Sequence, residues 1–158
     1  MQLKDVPVLI TGGGSGLGAA TARAMAAKGA KVSVLDVRKE HADAVAAEVK
    51  GLALGADVTN EEQVKAALAK AEAAHGIARV LVNCAGVASA IRTVSKTGAH
   101  PLDVFARVIN INLIGTFNVL RLFAERLGTA EPVGEERGVI VNTASVAAFD
   151  GQIGQVAY

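Results

Sequence analysis

The chain has 158 residues, 51% of them hydrophobic, and its 16 basic side chains nearly balance its 15 acidic ones, for a formal net charge of +1. That is enough apolar chain to bury one domain's core, and a nearly neutral surface without a basic run gives nucleic acid or an anionic membrane little to hold. A single cysteine cannot close an internal disulfide and no apolar run reaches the length of a membrane span, so a small-molecule partner and a cytoplasmic setting are expected.

The first predicted element is a strand over Val6 to Ile10, with Pro7 near its start, where a missing N–H is tolerated. With only a few residues before it, no leader peptide is expected. Then comes Thr11-Gly12-Gly13-Gly14-Ser15-Gly16-Leu17-Gly18, followed by a helix whose apolar face is read from Leu17, Ala20, Ala24 and Met25 and which Gly29 ends at a C′ position. Strand, glycine turn and helix in that order form a phosphate cradle: glycines permit the tight turn and the close approach of backbone, and the helix N-terminus offers free N–H donors and a partial positive charge. The residues assigned to that cradle are Gly12, Ser15, Gly16, Leu17 and Gly18. A second strand, Lys31 to Leu35, leads into Asp36, eighteen residues after Gly18, where a carboxylate would accept hydrogen bonds from an adenosine ribose.

A helix near Lys39 to Lys50 follows, with Val45 and Val49 on one face and Gly51 closing it. The next strand, Leu52 to Ala56, runs through Asp57-Val58 into Thr59-x-x-Glu62, which reads as a capping box for a helix with Val64, Leu68 and Ala71 on one face, ending at His75-Gly76. Val80 to Val82 is the fourth strand and carries Asn83-Cys84-Ala85-Gly86 at its C-terminal end, where open α/β sheets bind ligands. Cys84 reads as a small buried hydrophobe whose backbone lines the cleft. After a long loop, Pro101 can occupy the first turn of a helix running to about Leu127. Asn112 falls on its apolar stripe and must find partners there, while Gly115 suggests close backbone approach one turn on. Thr129 to Arg137 is read as a surface loop and Gly138 to Thr143 as the fifth strand; His41, His75 and His100 match no metal-ligand spacing and are read as solvated. Strands separated by helices of this length require crossover connections, so the fold class is α/β: a doubly wound parallel sheet in one domain.

The spacing Thr-Gly-x-x-x-Gly-x-Gly resembles that of the short-chain dehydrogenase/reductase family in its ordinary branch. Asn83-Cys84-Ala85-Gly86 resembles the family's Asn-Asn-Ala-Gly signature, and Ser145 with Tyr158, thirteen residues later, matches the spacing of its active site. The run from Asn142 to Gln152, with the segment starting at Asn112, resembles the type 2 3-hydroxyacyl-CoA dehydrogenases within that family. The resemblance implies that NAD is the cofactor, with Asp57 and Val58 beside the adenine and Asn83 to Gly86 lining the cleft. It implies a catalytic set of Asn112, Ser145 and Tyr158, with Ser145, Gln152 and Gln155 toward the substrate. Within this set Asn112 organises water, Ser145 holds the substrate oxygen, and Tyr158 exchanges a proton with it while hydride passes between the substrate carbon and nicotinamide.

The same resemblance implies a homo-oligomer, a tetramer in the family, and places a Lys four residues after the Tyr. Tyr158 is the last residue here, so the chain is expected to be the N-terminal part of a longer single-domain enzyme and to be inactive as it stands. Two rivals remain at this point. One is an NADPH-dependent 3-oxoacyl-carrier-protein reductase or other short-chain alcohol or hydroxysteroid dehydrogenase, which Asp36 disfavours and Arg38 could ease. The other is a cofactor-binding sensor or scaffold without turnover, against which Ser145 and Tyr158 argue.

Overall fold

A computed structural model describes residues 1–158. Four strands alternate with three helices: β1 (Pro7–Thr11), α1 (Gly16–Ala27), β2 (Lys31–Asp36), α2 (Lys39–Val49), β3 (Leu52–Gly55), α3 (Glu61–His75) and β4 (Val80–Asn83). A small hairpin, β5 (Val94–Ser95) and β6 (Gly98–Ala99), precedes α4 (Leu102–Ile109), which continues through a π-helical segment (Asn110–Gly115) into α5 (Thr116–Gly128). β7 (Val139–Asn142) and the single turn α6 (Ala147–Asp150) complete the order. β3-β2-β1-β4-β7 form one sheet in which every neighbouring pair is parallel. This is the doubly wound arrangement expected from the alternation.

The two-residue period of the strands divides the core into two layers. Val8, Ile10, Val32, Val34, Val80 and Val82 pack toward α1 and α2, whereas Leu9, Leu35 and Leu81 pack toward α3 and α5. Strands covered on both faces read as continuous apolar runs, which is why β1, β2 and β4 were recognisable. Each fully buried aliphatic side chain contributes about 1.5–3 kcal/mol. β7 differs: Val139 and Val141 are exposed at the edge of the sheet.

Several local expectations are corrected. The buried face of α1 is Gly18, Ala19 and Ala22, while Leu17 is 69% exposed. Almost every residue of this helix is apolar or small, so two faces satisfied the same spacing, and close approach to the sheet selected the smaller side chains. α2 is ended by Lys50 in the left-handed conformation (φ 52°), not by Gly51. Gly51 is instead committed to packing, since a Cβ there would collide with the Val32 carbonyl. The cap of α3 is Asn60, whose side chain accepts from Gln63 N (3.0 Å), because Thr59 is occupied by the Asp57 carboxylate (2.9 Å from its N, 2.8 Å from its Oγ1). Gln63 Oε1 reaches back to Asp57 N (2.8 Å), so the box closes one residue later than Thr59-x-x-Glu62 and two further back.

Nor are the histidines simply solvated. His75 Nδ1 lies 3.3 Å from the hydroxyl of buried Ser33. Nδ1 of His100 lies 2.8 Å from the Pro101 carbonyl, and its ring stands edge-on to Phe105. The backbone and Cβ of His41 pack beside Gly14.

Candidate active site

The C-terminal ends of β1, β4 and β7 are tied side by side. Thr11, 1% exposed, ends β1; its hydroxyl donates to Asn83 Oδ1 (3.3 Å) and accepts from the N–H groups of Cys84 and Ala85 (both 3.2 Å). Asn83 in turn donates from Nδ2 to Asn142 Oδ1 (2.9 Å), and Thr143 donates from its hydroxyl to the Asn83 carbonyl (2.7 Å). Three parallel strands thus end in one polar ladder that fixes where the chain leaves the sheet after Asn83 and Asn142.

The glycine turn sits against this ladder. Gly12 (φ 60°) is so close to the next strand's exit that a Cβ would lie 2.7 Å from Ala85 N, and one on Gly18 would strike the Gly12 carbonyl. Gly16 (φ 50°) faces open space, and Ser15 makes no capping bond with its side chain, so the first turn of α1 keeps N–H donors free of any side-chain cap. Asp36 is 6% exposed; its two oxygens accept from Gly14 N and Arg38 N, each at 3.0 Å, and Arg38 Nε stands 4.0 Å away. The carboxylate therefore also anchors the glycine turn, a role the sequence did not disclose.

Around the exit of β4 lies a cleft of about 250 Å³, lined by Asn83 to Ala88, Asn112, Thr116, Thr143 and Tyr158. Asn112 sits in the π segment and clamps Val87 with both halves of its amide, accepting from Val87 N and donating to Val87 O, each at 2.8 Å. The half-buried amide has its structural partners while remaining in the cleft wall. Tyr158, 44% exposed, joins it there.

Other expected residues lie apart. Ser145 is half-buried and outside the cleft lining, its hydroxyl accepting from Ala147 N (3.2 Å) at the start of α6. Gln152 is exposed; Gln155 bridges to Ile91 in parallel fashion, and its Oε1 is buried without a partner. Asp57 makes the turn before α3, and Val58 is buried beneath α5. Sequence reasoning overlooked Thr11, Thr143 and Asn142, although a Thr or Asn closing an apolar strand was an available signal. It also overlooked Asn118, for which no such signal existed.

A parallel sheet with a glycine turn after β1, at the point where the strand order reverses, and a carboxylate at the end of the neighbouring β2 is the arrangement of a dinucleotide-binding α/β domain. The chain belongs to the short chain dehydrogenase family, whose profile matches residues 7–158. Among its relatives, 3-hydroxyacyl-CoA dehydrogenase type-2 of Bos taurus is 51% identical over 162 residues, covering 99% of this chain and 62% of that protein. The Homo sapiens protein of the same name is 47% identical, with 62% of its length covered. A crystal structure of 3-hydroxyacyl-CoA dehydrogenase type-2 from Mycobacterium avium superposes with a TM-score of 0.92 at 37% identity, over 99% of this chain and 63% of that one. The chain thus spans a little under two thirds of the length of these relatives.

Proposed function

We propose that the protein is an NAD-dependent oxidoreductase acting on the 3-hydroxy/3-oxo carbon of an acyl-CoA in fatty acid metabolism. The observation that carries this reading is the convergence of Tyr158, Asn112 and the Asn83–Gly86 turn on one cleft at the switch point of the sheet. The cradle fits a dinucleotide: Gly16 opens onto free space, and the first turn of α1 has no side-chain cap and no acidic residue. Gly16, Leu17 and Gly18 would hold the pyrophosphate through backbone N–H groups. Each Asp36 oxygen keeps a second lone pair for a ribose hydroxyl beyond its bond to backbone. Asp57 and Val58 would flank the adenine, and Cys84, Ala85 and Gly86 the far half of the cofactor.

When bound, NAD supplies the hydride acceptor. An alcohol that loses hydride must also lose its hydroxyl proton, and Tyr158 would take that proton on its phenol oxygen when it stands as the phenolate, leaving the neutral phenol. Ser145 holds the substrate oxygen once its hydroxyl turns from Ala147 N toward the cleft, and Asn112 keeps the wall rigid at Val87. Gln152 and Gln155 lie on the substrate side. A homotetramer and a cytoplasmic location accompany this reading; no helix is long and apolar enough to cross a membrane.

The test follows NADH formation by the full-length protein from a short 3-hydroxyacyl-CoA, beside equilibrium binding of NAD and NADP. Turnover with that substrate and tighter binding of NAD support the proposal, since a 2′-phosphate would meet the Asp36 carboxylate. Equal affinities reject the role of Asp36 and would place Arg38 in control. Binding without turnover of any hydroxyacyl-CoA would leave a sensor.

A further inference from the structure

Asn118 is buried, at 6% exposure, on the face of α5 turned toward the loop that follows β3. Its Nδ2 donates to the Val58 carbonyl (2.8 Å), and its Oδ1 accepts from Arg121 (2.8 Å). Arg121 pairs in turn with Glu61 in the first turn of α3 (2.7 Å), whose carboxyl is held below the usual carboxylate range by bonds from Lys65 first and Arg121 second. One turn earlier Gly115 meets the same residue: a Cβ there would lie 2.6 Å from Val58 Cγ2. Helix and loop are therefore fitted at two adjacent points, one through shape and one through a hydrogen bond.

The same helix bears the other clamp, Asn112 on Val87. β3 and β4 lie on opposite sides of β1 in the sheet, so the loops held by the two amides leave the two halves of the sheet at the same, C-terminal, edge. In a doubly wound domain the β1-β2-β3 half is one mononucleotide site, and the end of β2 already carries the ribose-side carboxylate Asp36. The loop over Val58 is next to it, because β3 pairs with β2 and Asp36 stands opposite Gly55.

We propose that Asn118 is a positioning residue for the adenosine half of the dinucleotide: by fixing the Val58 carbonyl it sets the wall against which the base lies. This rests on the dinucleotide-binding reading above. Asn112 holds the reacting half and Asn118 the anchoring half from one rigid helix, so removing the second clamp weakens nucleotide binding without altering the chemistry.

The experiment compares full-length wild type with Asn118→Asp, which has the same shape and still accepts from Arg121 but cannot donate to Val58 O. AMP is the probe, titrated calorimetrically, alongside kcat at saturating NAD and the melting temperature. The expected result is a three- to tenfold rise in the Kd for AMP and a similar rise in the KM for NAD, with kcat unchanged. Gly115→Ala tests the same wall by steric pressure with Asn118 intact, and is expected to weaken AMP in the same direction. Asn118→Ala, which removes the same donor without placing a carboxylate against the Val58 carbonyl, takes over the test if Asn118→Asp does not fold. Unchanged AMP affinity in a folded variant, with or without a lower melting temperature, makes Asn118 a packing residue and overturns the proposal. Failure of wild type to bind AMP or NAD overturns it through the reading beneath it, and so is told apart from failure of the clamp.

Discussion

Asn83 is the joint of the polar ladder, and its removal should reveal how much the ladder contributes. Asn83→Ala deletes two side-chain hydrogen bonds, one with Thr11 (3.3 Å) and one with Asn142 (2.9 Å). The two orphaned partners are unequal. Thr11 is 1% exposed, so its hydroxyl loses an acceptor where water cannot follow, at about 1–3 kcal/mol for an unsatisfied buried group. Asn142 is exposed and recovers its bond from solvent. With about 0.5–1.5 kcal/mol for the bonds themselves, Asn83→Ala should destabilise by about 2–4 kcal/mol, whereas Asn142→Ala removes one bond instead of two and leaves Thr11 paired, but takes the acceptor from Nδ2 of Asn83, itself 3% exposed, so it should cost about 1–2 kcal/mol. Urea unfolding of the two variants measures the difference, provided the m-value is unchanged. Because Thr11 also accepts from Cys84 N and Ala85 N, the loop lining the cleft should loosen, and Asn83→Ala should bind NAD more weakly than Asn142→Ala. Equal costs for the two variants, or a cost below about 0.5 kcal/mol for Asn83→Ala, would refute the argument that burial of Thr11 decides the energetics.

Three further outcomes follow from the site and its surroundings. Ser145→Ala should lower turnover about 10²- to 10³-fold with NAD affinity kept; normal turnover with lost NAD binding would move Ser145 to the cofactor site. Asp36→Ala should weaken NAD without creating useful NADP affinity, because Gly14 N and Arg38 N lose their acceptor together and the glycine turn loses its anchor; strong NADP binding by that variant in a calorimeter would show the anchor to be dispensable. Burial, and secondarily the charge of Lys31, holds the His75 imidazole below its ordinary value of 6.5, so the unfolded chain takes up that proton first. Its contribution is therefore complete above about pH 6.5 and declines as pH falls from there toward the folded value, and His75→Gln should flatten that part of the melting-temperature profile.

What the sequence disclosed and what it withheld divide along one physical line. Strands β1, β2 and β4 and the face Val64, Leu68, Ala71 of α3 were legible because burial on known periods is a local pattern. Where neighbouring residues could serve the same purpose, the reading slipped: Thr59 and Asn60 can both cap a helix, and only the Asp57 carboxylate, by engaging Thr59, leaves the cap to Asn60. The glycines at 12 and 115 stood out because glycine is costly in ordered backbone and so implies close contact, and a Cβ at either site would indeed lie under 3 Å from its neighbour.

An amide leaves no comparable mark. Asn112 was noticed only for lying on an apolar stripe, and Asn118 was not singled out at all, because its partner is a carbonyl 60 positions away. The bonds that assemble the cleft join residues 72 and 59 positions apart across the strand ends and 25 apart at Val87. Periodicity reports which side of an element is buried, but not which carbonyl it meets there. In this domain the elements are written locally and the site is made by the clamps between them, so a substitution at Asn118 or Thr11 should disturb the cleft more than its place in the sequence suggests.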